Sequence, residues 1–218
     1  MLFRDRTEAG QKLGRELKAY ANRQDVLVLG LPRGGVPVAF EVAKALNAPL
    51  DVFLVRKLGV PGREELAMGA IASGGVRIVN QDVVENRQIS SEAIARTAAV
   101  EQQELERREF VYRGNRPPLD LSDRTVILVD DGLATGATMH AAIIAIRKKQ
   151  PKRIIAAVPV SAPEVCNKFQ VEVDEIICAE TPSPFVAVGV WYQNFSQTTD
   201  AQVQNLLQIA ADEKTTTW

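Results

Sequence analysis

Two cysteines and one histidine are the only thiol and imidazole side chains in 218 residues. Cys166 and Cys178 form no Cys-x-x-Cys pair, and His140 has no second histidine to join it. Neither a protein-built zinc site nor a disulfide framework is expected from so little. An excess of one charge is missing too: 26 Lys and Arg face 27 Asp and Glu, for a net charge of −1. That balance gives no electrostatic footprint for nucleic acid or for an anionic membrane. No stretch comes near the roughly 20 apolar residues of a membrane span; the apolar run 185–192 is short and reads as a strand. The start, Met1-Leu-Phe-Arg-Asp-Arg6, lacks the apolar core of a secretory leader. The cytoplasm is the expected setting. No internal repeat or low-complexity tract interrupts the chain, and its 46% hydrophobic content suffices for one well-buried domain.

What the chain does contain is an alternation of strand and helix patterns, as an open, mostly parallel α/β sheet requires. Residues 7–20 read as an amphipathic helix with Ala9, Leu13, Leu17 and Tyr20 on one face. Residues 25–29 and 50–55 read as strands around a helix at 36–46. The stretch 57–65, rich in glycine, proline and charge, reads as a loop. Residues 67–72 and 76–79, joined by Ser73-Gly-Gly75, suggest a hairpin. A long helix from Ser90 or Ser91 to about residue 112 carries the stripe Ile94, Ala98, Leu105 and Tyr112. That stripe can pack on the domain or on a second subunit, so a homodimer stays open. Further on come strands at 153–158 and 175–179, a short helix from Pro163 and a closing helix at 200–211. The expected organisation is a single domain, 1–218, with a loop and hairpin at 57–80, a helical insertion at 81–118 and a C-terminal hood at 180–218.

One segment speaks most directly about chemistry: Val126-Ile-Leu-Val-Asp-Asp-Gly-Leu-Ala-Thr-Gly-Ala-Thr138. Its apolar run is a buried strand, so Asp130 and Asp131 fall at a strand's carboxyl end, where α/β sheets place ligands. Carboxylates accept hydrogen bonds from a sugar diol. The loop Leu133-Ala-Thr-Gly-Ala-Thr138 opens a helix, whose free amides and dipole suit a phosphate. Gly136 lets the backbone come close, and Thr135 and Thr138 add hydroxyls. Diol clamp and phosphate cradle together describe a ribose 5-phosphate.

With that spacing the segment resembles the phosphoribosyl-pyrophosphate (PRPP) motif of type I phosphoribosyltransferases, and the resemblance extends over nearly the whole chain. It implies the family's α/β fold, with a mostly parallel central sheet, a mobile loop and a small hood. Leu29-Gly-Leu-Pro-Arg-Gly-Gly-Val-Pro37 resembles the family's pyrophosphate loop. Arg33 supplies charge there, and Gly34 and Gly35 permit positive φ. Arg56 and Lys57 resemble a pyrophosphate-binding pair in the orotate and adenine enzymes, and phosphoryl oxygens suit both. Residues 58–69 occupy the place of the mobile catalytic loop, where Arg63 would cover the leaving group and Glu64 or Glu65 would handle a proton. Ala134 departs from the hypoxanthine–guanine enzymes, which carry a carboxylate there for proton exchange with the purine. The adenine enzymes take that carboxylate from the loop instead. Residues 184–192 nevertheless resemble the base-covering segment of the hypoxanthine–guanine enzymes, with Phe185, Trp191 or Tyr192 as stacking candidates. Such a mixed pattern is similar to a less characterised bacterial branch of the family.

The resemblance implies transfer of a 5-phosphoribosyl group from PRPP to a ring nitrogen of a small, purine-like base, with pyrophosphate released. Mg²⁺ would be held by ligand oxygens and water, reaching Asp130 and Asp131 only through water. The alternative is a regulator that senses PRPP or a nucleotide through the same site and transfers little.

Overall fold

The computed structural model describes residues 2–215. Five parallel strands form the central sheet: β1 (Val26–Gly30), β2 (Leu50–Val52), β6 (Thr125–Val129), β7 (Arg153–Val160) and β8 (Glu175–Glu180), in the order β2-β1-β6-β7-β8. Every residue of β1 and β6 is buried, as strands covered on both faces must be. Helices α1 (Arg6–Glu16), α2 (Gly35–Leu46), α5 (Ala137–Arg147), α6 (Pro163–Phe169) and α7 (Asp200–Thr215) flank this sheet. The expected α/β architecture is the one observed.

A second, antiparallel sheet interrupts it. Strands β3 (Val55–Val60), β4 (Arg63–Ala72) and β5 (Val76–Val79) pair in sequence order. The hairpin expected around Ser73 is present, but the loop expected at 57–65 is not. Most of that stretch is strand, turning at Pro61-Gly62, where Gly62 takes φ +74°. Leu58 and Val60 are buried, and irregular pairing around Gly59 lets strands of uneven pattern stay in register. Composition overstated the loop because its apolar positions, though few, all face inward.

The hairpin leads into the helical insertion expected at 81–118, which holds two helices, the short α3 (Gln81–Asn86) and the long α4 (Ser91–Arg113). Ser90 caps α4, accepting from the Ala93 amide at 3.2 Å. Its stripe Ile94, Ala98, Leu105 and Tyr112 is buried within the same chain, where α4 packs on β3, β4 and α7. At the other end, the apolar run 185–192 forms a 3-10 turn, Val188–Trp191, instead of a strand. Only Tyr192 makes a bridge, to Phe3. Its apolar residues cover a site edge rather than enter a sheet.

The cysteines also depart from expectation. Cys166 and Cys178 are joined in a disulfide across a sequence separation of 12. Spacing alone hid this pair: the β7–α6–β8 crossover returns the chain so that the middle of α6 lies against β8.

Candidate active site

Register builds the site. Gly30 of β1 pairs with Val129 of β6, so the turn 31–35 and the acidic pair leave the sheet side by side. The chain runs from β1 to β2 on one side and from β6 to β7 on the other. This is the topological switch point at which open α/β sheets bind ligands. The Leu31 amide donates to the Val129 carbonyl at 2.9 Å and the Gly35 amide to the Leu31 carbonyl at 3.0 Å, which closes the turn.

Gly34 and Gly35 serve here in a way the sequence reading missed. Neither takes a positive φ; Gly34 sits at −63° as the residue before α2. What they supply is room. A Cβ on Gly34 would overlap the Asp131 carboxylate, and one on Gly35 would come within 2.9 Å of the Asp130 Cα. The turn thus packs directly beneath the acidic pair.

Asp130 and Asp131 are each half-buried. The Asp131 amide donates to Asp130 Oδ1 at 2.8 Å. Asp131 is held by Arg6, whose Nε donates to Oδ2 at 2.9 Å and whose Nη2 lies 2.8 Å away. Burial pushes the Asp130 carboxyl well above the usual carboxylate range, and the Asp131 charge pushes it further. Burial raises Asp131 as well, against the pull of Arg6.

That shift has a sign that can be checked. Folded Asp130 binds its proton more tightly than unfolded Asp130. Its contribution to stability therefore falls as pH rises from about 4, the unfolded carboxyl range, through its raised folded value. Asp130→Asn removes this slope. The melting temperature of the variant minus that of the parent is expected to be small at pH 4 and to widen in favour of the variant towards pH 8. A difference that stays flat across that range would mean that folding does not disfavour the charged form.

The loop 133–138 lies beside the pair. Leu133 is buried and its amide donates to the Val160 carbonyl at 2.9 Å, which ties the loop to β7. Ala134, Thr135, Ala137 and Thr138 are exposed. Gly136 is the residue before α5 and takes φ +73°. The Phe169 ring of α6 packs against it so closely that a Cβ would lie 2.5 Å from a ring carbon. An open helix amino terminus on a firmly backed loop results.

The cations expected to share one ligand are dispersed. Arg33 Nη1 lies 3.7 Å from Asp200, at the start of α7. Asp200 in turn accepts from the Tyr112 hydroxyl at 2.5 Å. Arg56 and Lys57 do not act as a pair: they are neighbours on β3 and point to opposite faces. Arg56 donates to Glu101 of α4 at 2.7 Å. Lys57 lines a cleft of about 420 Å³ together with Ala137 and Thr138 of α5. The structure thus brings Lys57, but not Arg56, beside the helix amino terminus. Arg63, Glu64 and Glu65 are exposed near the hairpin tip and make no hydrogen bond or ion pair with Asp130 or Asp131. Glu65 lies 3.7 Å from Lys57.

In the hood, Tyr192 is buried and its hydroxyl donates to the Asp131 carbonyl at 2.6 Å. Its ring packs on Phe3 and Phe195, so it props the acidic pair instead of presenting an open face. Phe185 and Trp191 are half-buried, and the Trp191 indole N–H is buried without a partner. Arg6, Tyr112, Glu101, Phe169, Phe195 and Asp200 all bear on the site, and sequence reading found none of them in that role. Only long-range packing brings them there.

The chain matches the model of the phosphoribosyl transferase domain over residues 7–190. It is 46% identical over 209 residues to two Mycobacterium tuberculosis proteins, named "Putative phosphoribosyl transferase Rv0571c" and "Putative phosphoribosyl transferase MT0597". Those alignments cover 96% of this chain and 47% of each relative, so the chain spans about half the length of these curated relatives. The crystal structure of TT1426 from Thermus thermophilus superposes with a TM-score of 0.83 at 40% identity, covering 95% of this chain and 98% of that one. The chain belongs to the phosphoribosyl transferase family.

Proposed function

We propose that this chain transfers the 5-phosphoribosyl group of PRPP to a ring nitrogen of a small, purine-like base and releases pyrophosphate. One juxtaposition carries the reading: an acidic pair and an open helix amino terminus at the same end of β6. Asp130 and Asp131 take the ribose diol, and residues 133–138 take the 5-phosphate through the first-turn amides of α5. Arg33, Gly34, Gly35 and Lys57 face the pyrophosphate. For Arg56 to join them, it must first leave Glu101. Arg63 meets the leaving group once the hairpin folds over, which also keeps water from a transition state of oxocarbenium character. Positioning and electrostatics supply the rate. Phe185 and Trp191 border the base, with the free indole N–H as a donor.

Mg²⁺ fits this reading as a companion of the substrate. Among the described residues no three His, Cys, Asp or Glu side chains converge as ligands, and Asp131 is engaged by Arg6. A hard cation that keeps its waters suits such a site, held by pyrophosphate and ribose oxygens. When bound, the ion offsets the charge of the departing pyrophosphate. Asp130 and Asp131 would reach it through water. No helix among the described residues is long and apolar enough to cross a membrane. A cytoplasmic setting belongs to the same proposal, and there Cys166 and Cys178 would meet a reducing pool.

Calorimetry with PRPP and Mg²⁺ tests the core of the reading. Asp130→Asn combined with Asp131→Asn is expected to remove most of the affinity, and unchanged binding would refute the diol clamp. A screen of bases read by pyrophosphate release then identifies the acceptor. Ala134, which lacks the carboxylate of the hypoxanthine–guanine enzymes, favours a second reading as a PRPP sensor. Tight PRPP binding with no transfer to any base would select it.

A further inference from the structure

Arg6 is the first residue of α1, where a cation opposes the helix dipole. Helix formation does not account for it, since Asp5 already caps α1 by accepting from the Glu8 amide at 2.9 Å. What Arg6 does is reach across the fold. Two of its nitrogens meet Asp131 Oδ2, its Nη1 donates to the Ser196 carbonyl at 2.7 Å, and its guanidinium lies 4.1 Å from the Phe195 ring centre. Only 12% of the Arg6 side chain and 16% of that of Asp131 is exposed.

The segment carrying Ser196 and Phe195 is held at its other end by the same N-terminal stretch. The Phe3 amide donates to the Trp191 carbonyl at 2.9 Å, the Gln193 amide to the Phe3 carbonyl at 2.8 Å, and the Asn194 amide to the Arg4 carbonyl at 2.9 Å. Tyr192 completes the frame through the Asp131 carbonyl. Chain start, hood and acidic pair therefore converge on one guanidinium. Removing it leaves the Asp131 carboxylate without its cation and removes the side-chain tie from that carboxylate to Ser196 and Phe195.

We propose that Arg6 is a positioning residue for the ribose subsite: it fixes the Asp131 carboxylate for the diol and fastens the hood segment to it. This rests on the phosphoribosyl reading above. Arg6 touches neither the phosphate cradle nor the turn's arginine in its hydrogen bonding, so its effect should be selective for ligands that carry the sugar.

The experiment compares ribose 5-phosphate with inorganic phosphate, both by calorimetry, in the parent, Arg6→Gln, Arg6→Lys, Asp131→Asn and the Arg6→Gln/Asp131→Asn double variant. Arg6→Gln is expected to weaken ribose 5-phosphate on the order of tenfold and to leave inorganic phosphate unchanged. Arg6→Lys keeps the charge but not the fork, and should recover part of the loss. The double variant should bind ribose 5-phosphate no worse than the weaker single one, as expected of residues acting as a unit. Equal losses for both ligands would mean a general structural role and overturn the proposal, as would no loss at all. Should Arg6→Gln fail to fold, Arg6→Lys carries the same comparison with a smaller selective loss expected. If the parent itself binds neither ligand, the phosphoribosyl reading falls and the role of Arg6 falls with it.

Discussion

Gly136→Val is expected to abolish most binding of ribose 5-phosphate and PRPP while leaving the rest of the fold in place. Two separate obstacles meet at this residue. Its φ of +73° is a conformation that a β-branched side chain scarcely adopts. The space a side chain would need is filled by Phe169, which is almost fully buried. The loop must therefore move, and with it the amides proposed to hold the phosphate. Losing two charge-assisted hydrogen bonds at about 1.5–3 kcal/mol each corresponds to an affinity loss on the order of 100-fold or more. Calorimetry measures this directly, with a melting curve to confirm folding. Phe169→Ala made in the Gly136→Val background relieves only the second obstacle, so it should recover affinity in part. Parent-like affinity in Gly136→Val would show that the phosphate binds elsewhere.

The parts of this site that could be read in the sequence are those whose chemistry is local. Residues 126–138 hold strand, acidic pair, loop and helix start in one uninterrupted run, and each fell within a residue or two of its expected place. The Ser90 cap and the stripe Ile94, Ala98, Leu105 and Tyr112 identified α4 for the same reason. The hairpin at 55–72 was harder, because Gly59, Pro61 and Gly62 carry the same signal in a tight turn as in an open loop. Arg56 and Lys57 illustrate a second limit. Adjacent cations look like a pair on paper, but strand geometry sends one to Glu101 and the other to the cleft beside α5. The Cys166–Cys178 bond and the Arg6–Asp131 contact span 12 and 125 residues, and nothing in either neighbourhood announces its partner. Gly34 and Gly35 show the reverse error: their importance was legible but its cause was not, since glycine marks missing volume and unusual φ alike.

If the chain transfers a phosphoribosyl group as proposed, the proton at the acceptor base is expected to pass through the hairpin tip. Ala134 stands where the hypoxanthine–guanine enzymes carry a carboxylate, and the proposed reading assigns both Asp130 and Asp131 to the ribose diol. On that reading Glu64 and Glu65 are the acidic groups proposed to reach a bound base once the hairpin folds over it. They are not equivalent. Glu65 already pairs with Lys57 at 3.7 Å, a contact that folding over pyrophosphate would have to break, whereas Glu64 has no such partner among the described residues. Transfer by a positioned side chain is typically worth about 10²–10⁴-fold in rate. One of the substitutions Glu64→Gln and Glu65→Gln is therefore expected to lower turnover by about that factor, with Glu64 favoured. PRPP affinity should barely change, because a carboxylate gains nothing from nearing pyrophosphate. Steady-state rates with the identified base, set beside calorimetric PRPP affinity, separate the two quantities. Parent-like turnover in both single variants and in the double variant would remove the loop carboxylates from the mechanism. The acceptor would then be a base whose proton leaves through water.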